Sequence, residues 1–138
     1  MTETEVRVNY SETDQMGVVY HARYLVWMDV ARCEHVRRSG VSYAELERRG
    51  FRLAVGDVRI RYRQPARYDD LVRVRCWVRE AVSRRITFGY AIDLPDPGVL
   101  VATAETAMMV LSPDFSWARL PPEILSLLVP EPDPVRLF

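Results

Sequence analysis

The sequence predicts an α+β fold, in which one long central helix is wrapped by a curved antiparallel sheet of five to six strands. Three observations carry this. Apolar residues recur at helical spacing in a single early segment, from about 18 to 39. Beyond Gly50 the apolar period drops to two and stays there. The two-period runs follow one another through short turns, so they are most simply antiparallel neighbours. With 138 residues, 49% of them apolar, the chain is long enough for one domain with its own core.

Taken in order, Val6, Val8 and Tyr10 alternate with Arg7 and Asn9, a first strand. Ser11 to Gly17 is a polar break. From Val18 the chain turns helical, with Tyr24, Trp27, Met28, Ala31 and Val36 at steps of three to five residues. The first half of this helix is apolar on most sides, so it needs other structure around it. Its second half is charged, and Gly40 is the stop. Ser42 and Glu45 form a capping box for a short helix ending at Gly50. Val58, Ile60 and Tyr62 then alternate with Arg59, Arg61 and Arg63, until Pro65 ends the strand. Tyr68-Asp69-Asp70 is a turn. Val72 to Arg79 and Ile86 to Asp93 alternate in the same way. Asp93 to Gly98 is a hairpin loop, and Leu100 to Leu111 is a last long strand. Pro121 to Leu128 reads as a short helix, and 130–138 as a proline-rich C-terminal tail without clear structure. One apolar helix against a curved sheet with an arginine-rich second face is the description of a hotdog fold. Such a sheet has open edges, for which association of subunits is the usual remedy.

Composition removes several function classes. The 19 basic and 19 acidic side chains balance, which argues against a general binder of nucleic acid or acidic membranes. Every basic residue is Arg, so a Schiff-base lysine, a P-loop lysine and a lysine base are all excluded. No GxSxG, GxGxxG, HExxH or CxxC is present. No cofactor or built-in metal is expected from two distant cysteines, Cys33 and Cys76, and two histidines, His21 and His35. The first residues lack the positive start and apolar block of a signal peptide, and no run approaches the roughly 18 apolar residues of a membrane span. A cytoplasmic protein is expected.

Chemistry concentrates in Tyr10-Ser-Glu-Thr-Asp14-Gln-Met-Gly17-Val-Val-Tyr20-His21-Ala-Arg-Tyr24. A carboxylate in a glycine-containing turn precedes the long helix. The first turn of such a helix offers unpaired N–H groups and partial positive charge, able to hold an oxyanion. Gly17 lets a substrate approach the backbone. Asp14 then stands near the reacting carbonyl, as nucleophile or as base for a water. Taken alone, an Asp in this place is first of all an N-cap, and a lone His21 is a packed or surface residue. Glu12 competes with Asp14 as the reactive carboxylate.

The segment resembles the signature of the hotdog acyl-CoA thioesterases, of the 4-hydroxybenzoyl-CoA thioesterase type and the Tol-Pal-associated type. Those families resemble Y-x-x-T-D-x-x-G-x-V-Y-H-x-x-Y, matched here by Tyr10, Thr13, Asp14, Gly17, Val19, Tyr20, His21 and Tyr24, and then by Trp27 to Glu34. Tyr62-Arg-Gln-Pro-Ala-Arg-Tyr-Asp-Asp70 resembles a second motif of the same families. The resemblance implies a hotdog thioesterase domain over 1–129 that hydrolyses an acyl-CoA to free acid and CoA. It implies Asp14 as the catalytic carboxylate, His21 as the residue whose N–H or ring assists, and Tyr10 as a pocket tyrosine. Met16 stands where relatives often carry a small residue, and it narrows or reshapes the acyl pocket. Gly17, Tyr20 and Tyr24 are candidate substrate-binding residues. Coenzyme A brings phosphates, for which Arg67, Arg84 and Arg85 are the loop arginines of choice. Trp77, on the arginine face, is a candidate contact in a homo-oligomer, a dimer or tetramer. The competing reading is a hotdog protein that binds acyl-CoA or an acyl carrier without cleaving it.

Overall fold

A computed structural model describes residues 1–138. Five strands form one sheet: β1 (Thr2–Arg7), β2 (Arg52–Tyr62), β3 (Leu71–Val82), β4 (Arg85–Leu94) and β5 (Val99–Leu111). Their order is β1-β3-β4-β5-β2, with every neighbouring pair antiparallel. The helices are α1 (Arg23–Arg38), α2 (Tyr43–Arg48) and α3 (Pro122–Leu125). The hotdog arrangement expected from the sequence is present, with five strands and a helix of modest length.

Alternation in β3 and β4 explains the core. Val72, Val74, Cys76 and Val78, with Ile86, Phe88, Tyr90 and Ile92, are all at 0% exposure. They form one cluster with Trp27, Met28, Ala31 and Val36 of α1. Burying each large apolar side chain contributes about 1.5–3 kcal/mol, which holds α1 on this inner face. Ser42 caps α2 as expected, its Oγ accepting the Glu45 N–H at 3.1 Å. No helix is long and apolar enough to cross a membrane.

Several boundaries differ from the sequence reading. α1 begins at Arg23 and not at Val18, because tertiary hydrogen bonds claim the intervening residues. The Val19 N–H donates to the Ala66 carbonyl (2.8 Å), the Tyr20 N–H to the Glu12 carbonyl (2.8 Å), and the Asp14 N–H to the Val18 carbonyl (2.9 Å). These bonds fold 13–22 into a loop that helix propensity alone does not foresee. The helix is also covered on one side only: Leu25, Val26 and Val30 are 41–48% exposed. β1 lies earlier than the Val6–Tyr10 strand expected, since Tyr10–Glu12 is a 3-10 turn. β2 begins at Arg52, because a bulge between Val55 and Asp57 breaks its alternation.

The tail corrects a further expectation. It has no helix or strand of its own, yet it lies as a strap across the outer sheet face. Leu137 is buried against Trp77 and Ala91, with Val135 and Phe138 packed beside them. Asp133 accepts the Trp77 indole N–H (2.9 Å) and two N–H groups of Arg79 (2.9 and 2.8 Å). Trp77 is therefore fully covered by its own chain and presents no surface to a partner.

Candidate active site

Asp14 caps nothing in α1. The N-cap is Ala22, whose side chain makes no capping bond. The Asp14 carboxylate instead folds over its own turn, Oδ1 accepting the Met16 N–H at 2.9 Å. The turn closes with the Gly17 N–H on the Asp14 carbonyl (3.0 Å), and Gly17 has φ +78°, which a residue with a Cβ rarely adopts. Space is open above it: a Cβ built there would meet nothing within 4 Å.

The turn forms one wall of an open cleft of about 300 Å³. Asp14, Met16, Val18 and His21 contribute from the loop, and Tyr62, Arg63, Gln64 and Pro65 from the end of β2. Val19 and Tyr24, at 4% and 3% exposure, are the deeply buried members of the lining. The two sequence motifs thus meet across one cleft, tied by the Val19–Ala66 hydrogen bond and by the Tyr62 hydroxyl, which donates to the His21 carbonyl at 2.7 Å. Burial pushes the Tyr24 and Tyr62 hydroxyls up from the ordinary tyrosine range; for Tyr24 a hydrogen bond with the Ala66 backbone partly offsets this.

Glu12 and Asp14 have separate fates. Glu12 is buried, with Oε1 accepting the Asn9 N–H and Oε2 the Trp27 indole N–H, both at 2.8 Å. Both of its oxygens serve the fold. Asp14 is half-buried and faces the cleft. Where α1 opens, the amides of His21 and Ala22 donate to no oxygen of the chain. A carboxylate and unpaired amides beside one cleft are the components for attack on a carbonyl and for holding the resulting oxyanion. No group of three or more His, Cys, Asp or Glu side chains is arranged to hold a metal ion.

The other expected residues divide. Tyr24 lines the cleft and Gly17 shapes its turn. Tyr20 is 46% exposed and packs on the His21 ring, with centroids 4.5 Å apart. Tyr10 is not in the cleft lining; it is 77% exposed and edge-on to Tyr68. Arg67 is exposed in the turn beyond Pro65. Arg84 and Arg85 lie at the β3–β4 turn, the far end of the sheet from the Arg67–Asp70 turn. The twelve residues of β3 separate the two ends by roughly 36 Å, at about 3.3 Å per residue. One chain does not bring these arginines to its own cleft. The sequence reading missed Tyr62, Gln64 and Pro65 as lining residues. Their motif had been noted as a second resemblance to the family, but none of the three had been assigned a place in the site.

Together, the fold and the cleft define a hotdog domain equipped for carbonyl chemistry. Residues 8–128 match the thioesterase-like superfamily. The chain belongs to this superfamily, as its motifs led us to expect. The Bacillus subtilis protein YneP is 38% identical over 95 residues, 69% of each chain. The acyl-CoA thioester hydrolase YbgC of Escherichia coli O6:H1 is 30% identical over 108 residues, 78% of this chain and 80% of its own. Among solved structures, the DHNA-CoA thioesterase of Staphylococcus aureus superposes with a TM-score of 0.82 at 34% identity, covering 86% of this chain and 80% of its own.

Proposed function

We propose that the chain hydrolyses an acyl-CoA thioester to free acid and CoA, with Asp14 as the reactive carboxylate. The observation that carries this is the contrast between two neighbouring carboxylates: Glu12 is consumed by the fold, while Asp14 faces the cleft with a single protein donor on it. Two routes use the same geometry. In one, Asp14 takes a proton from water as the water oxygen bonds to the thioester carbon. In the other, Asp14 itself bonds to that carbon, and water later cleaves the anhydride. In both, the carbonyl becomes an oxyanion stabilised by the free His21 amide, the C–S bond breaks, and the thiolate leaves and is protonated. The His21 ring, beside Tyr20, assists at the same carbonyl. Val18, Val19 and Tyr24 receive the acyl group, and Met16 bounds its mouth. We place the enzyme in the cytoplasm, and nothing in the reaction calls for a cofactor.

Thiol release over a panel of short, long and aromatic acyl-CoA substrates tests the reading. Asp14→Asn should lose about 100-fold or more of the rate with the fold intact. Hydrolysis at the wild-type rate in this variant would reduce Asp14 to a turn residue. A wild type that binds acyl-CoA and releases no thiol is the binding-protein reading.

A homo-oligomer belongs to the same proposal. β2 is an open edge strand, with Val55 and Val58 at 49% and 43% exposure. Antiparallel self-pairing that sets Val58 against Val58 sets Asp57 of each copy against Arg59 of the other. Antiparallel pairing reverses the sheet ends, so the Arg84–Arg85 end of one copy comes to the cleft end of the next. That is where these arginines can meet CoA phosphates, alongside Arg67. Light scattering should give a dimer or larger species, and Asp57→Arg should weaken it. A wild-type monomer at the working concentration would discard the arrangement.

A further inference from the structure

We infer that the Tyr62 hydroxyl is a positioning group for the His21–Ala22 peptide, holding the unpaired backbone amides that meet the thioester carbonyl. This rests on the hydrolase reading above and adds a residue to it. The hydrogen bond from Tyr62 Oη to the His21 carbonyl, at 2.7 Å, joins residues 41 apart in sequence and ties the loop bearing Asp14 to the end of β2.

Its consequence follows from peptide geometry. Each amide N–H lies in one rigid peptide plane with the carbonyl of the residue before it, and successive planes are joined by only two soft dihedrals. The plane before His21 is anchored through the Tyr20 carbonyl, which accepts the Arg23 N–H at 2.9 Å. The plane after it is anchored through the His21 carbonyl by Tyr62. With both planes held, the directions of the His21 N–H, in the first plane, and of the Ala22 N–H, in the second, are set before substrate arrives. Ala22, the N-cap of α1, supplies no side-chain bond that could do this instead. Preorganised donors are effective because they need no reorientation as charge develops.

Tyr62 is suited to this role. Its ring is held edge-on to Tyr24, with centroids 5.2 Å apart and planes at 81°, so the hydroxyl is delivered by a braced side chain. At 47% exposure the side chain adds little to the core. Its proton is committed to the His21 carbonyl, so it does not serve as the acid of the reaction.

Tyr62→Phe keeps the ring and removes the hydroxyl alone. The expected result is a fall in kcat of roughly tenfold, the scale of one hydrogen bond, with KM within a factor of about two. The melting temperature should stay close to wild type. The amide resonances of His21 and Ala22 and the carbonyl resonance of His21 should shift, with faster amide exchange at both. Unchanged kcat, a loss confined to KM, or unmoved resonances at His21 would overturn the inference while leaving Asp14 and the hydrolase reading in place. A wild type releasing no thiol from any acyl-CoA would remove the hydrolase reading and this role together. If Tyr62→Phe is poorly folded, the kcat of Tyr62→Leu at a temperature where it is folded decides instead. The Leu variant must fall at least as far, and a wild-type kcat in it overturns the role.

Discussion

The outer face of the sheet and the cleft at its end use the same residue types for opposite ends. On the outer face nearly every charge is answered within the chain. Arg79 holds Asp133 and Glu105, Arg73 holds Asp93, and Arg63 donates to Thr103 Oγ1 and to the Arg136 and Leu137 carbonyls. The Arg59 guanidinium lies 3.9 Å from the centre of the Phe138 ring. Arg75 Nε is the buried exception. In the cleft, the Asp14 carboxylate has one donor and the amides at the start of α1 have no acceptor. Groups that satisfy one another make structure. Groups left facing a cavity with binding capacity to spare make chemistry. The arginine-rich face carries more charge in sequence, and it is the one that is closed.

Paired substitutions sharpen this contrast. In the cleft, Asp14→Asn should carry the largest effect, the loss of activity already set out, with the melting temperature unchanged or slightly raised. On the outer face the reverse should hold. A Cβ added to Gly89 would stand 2.6 Å from the Trp77 ring, which is sealed under the strap and cannot yield. Gly89→Ala should therefore cost about 1–3 kcal/mol of stability by overpacking, while activity per folded molecule stays near wild type. Thermal unfolding and thiol release measured on one preparation check both. An Asp14 variant that melts well below wild type, or a Gly89 variant that folds normally but is inactive, would erase the distinction between the two regions.

Much of the fold was legible because its signal is local. The alternation of Val72 to Val78 and of Ile86 to Ile92 states a half-buried strand directly, and Ser42 with Glu45 states a helix start. The loop at 18–22 was not legible: Val18, Val19 and Tyr20 suit a helix, and only the carbonyls of Ala66 and Glu12, distant partners, draw them out of it. The strap was hidden for a related reason. Pro130 to Phe138 has no periodicity, and its order comes from Asp133 and Leu137 meeting a surface made by β3 and β4. In the site, the residues taken alone left Asp14 as an N-cap with Glu12 competing beside it, and the motif's resemblance to the thioesterase families singled out Asp14 and His21. Tyr62 could be found only once the two motifs stood face to face.

The two faces meet at the β1 edge, and there the smallest effect is expected. His35 of α1 is 6% exposed, its Nδ1 2.7 Å from Thr2 Oγ1, and its ring is edge-on to Phe88. The N-terminal ammonium beside it is paired with Glu131 of the strap. Burial first, then the ammonium, holds the His35 pKa below its usual value, against a smaller opposing pull from Glu131. The folded state thus binds this proton less readily than the unfolded chain. The stability that follows is complete above the unfolded value of about 6.5 and is lost as pH falls from there through the lower folded one. Asp133 behaves in the opposite sense. Burial raises its pKa, but the bonds from Arg79 and Trp77 outweigh this and hold it low. Its contribution is complete above the unfolded value of about 3.9 and fades only below that. A fall in the melting temperature between pH 7 and 5 should therefore report the helix side, while further loss below pH 4 includes the strap together with the hydrogen-bonded carboxylates Glu34, Glu45 and Asp114. His35→Gln, which can still bond Thr2, should flatten the first step and leave the second. Equal falls between pH 7 and 5 in the wild type and this variant would assign the step to other groups.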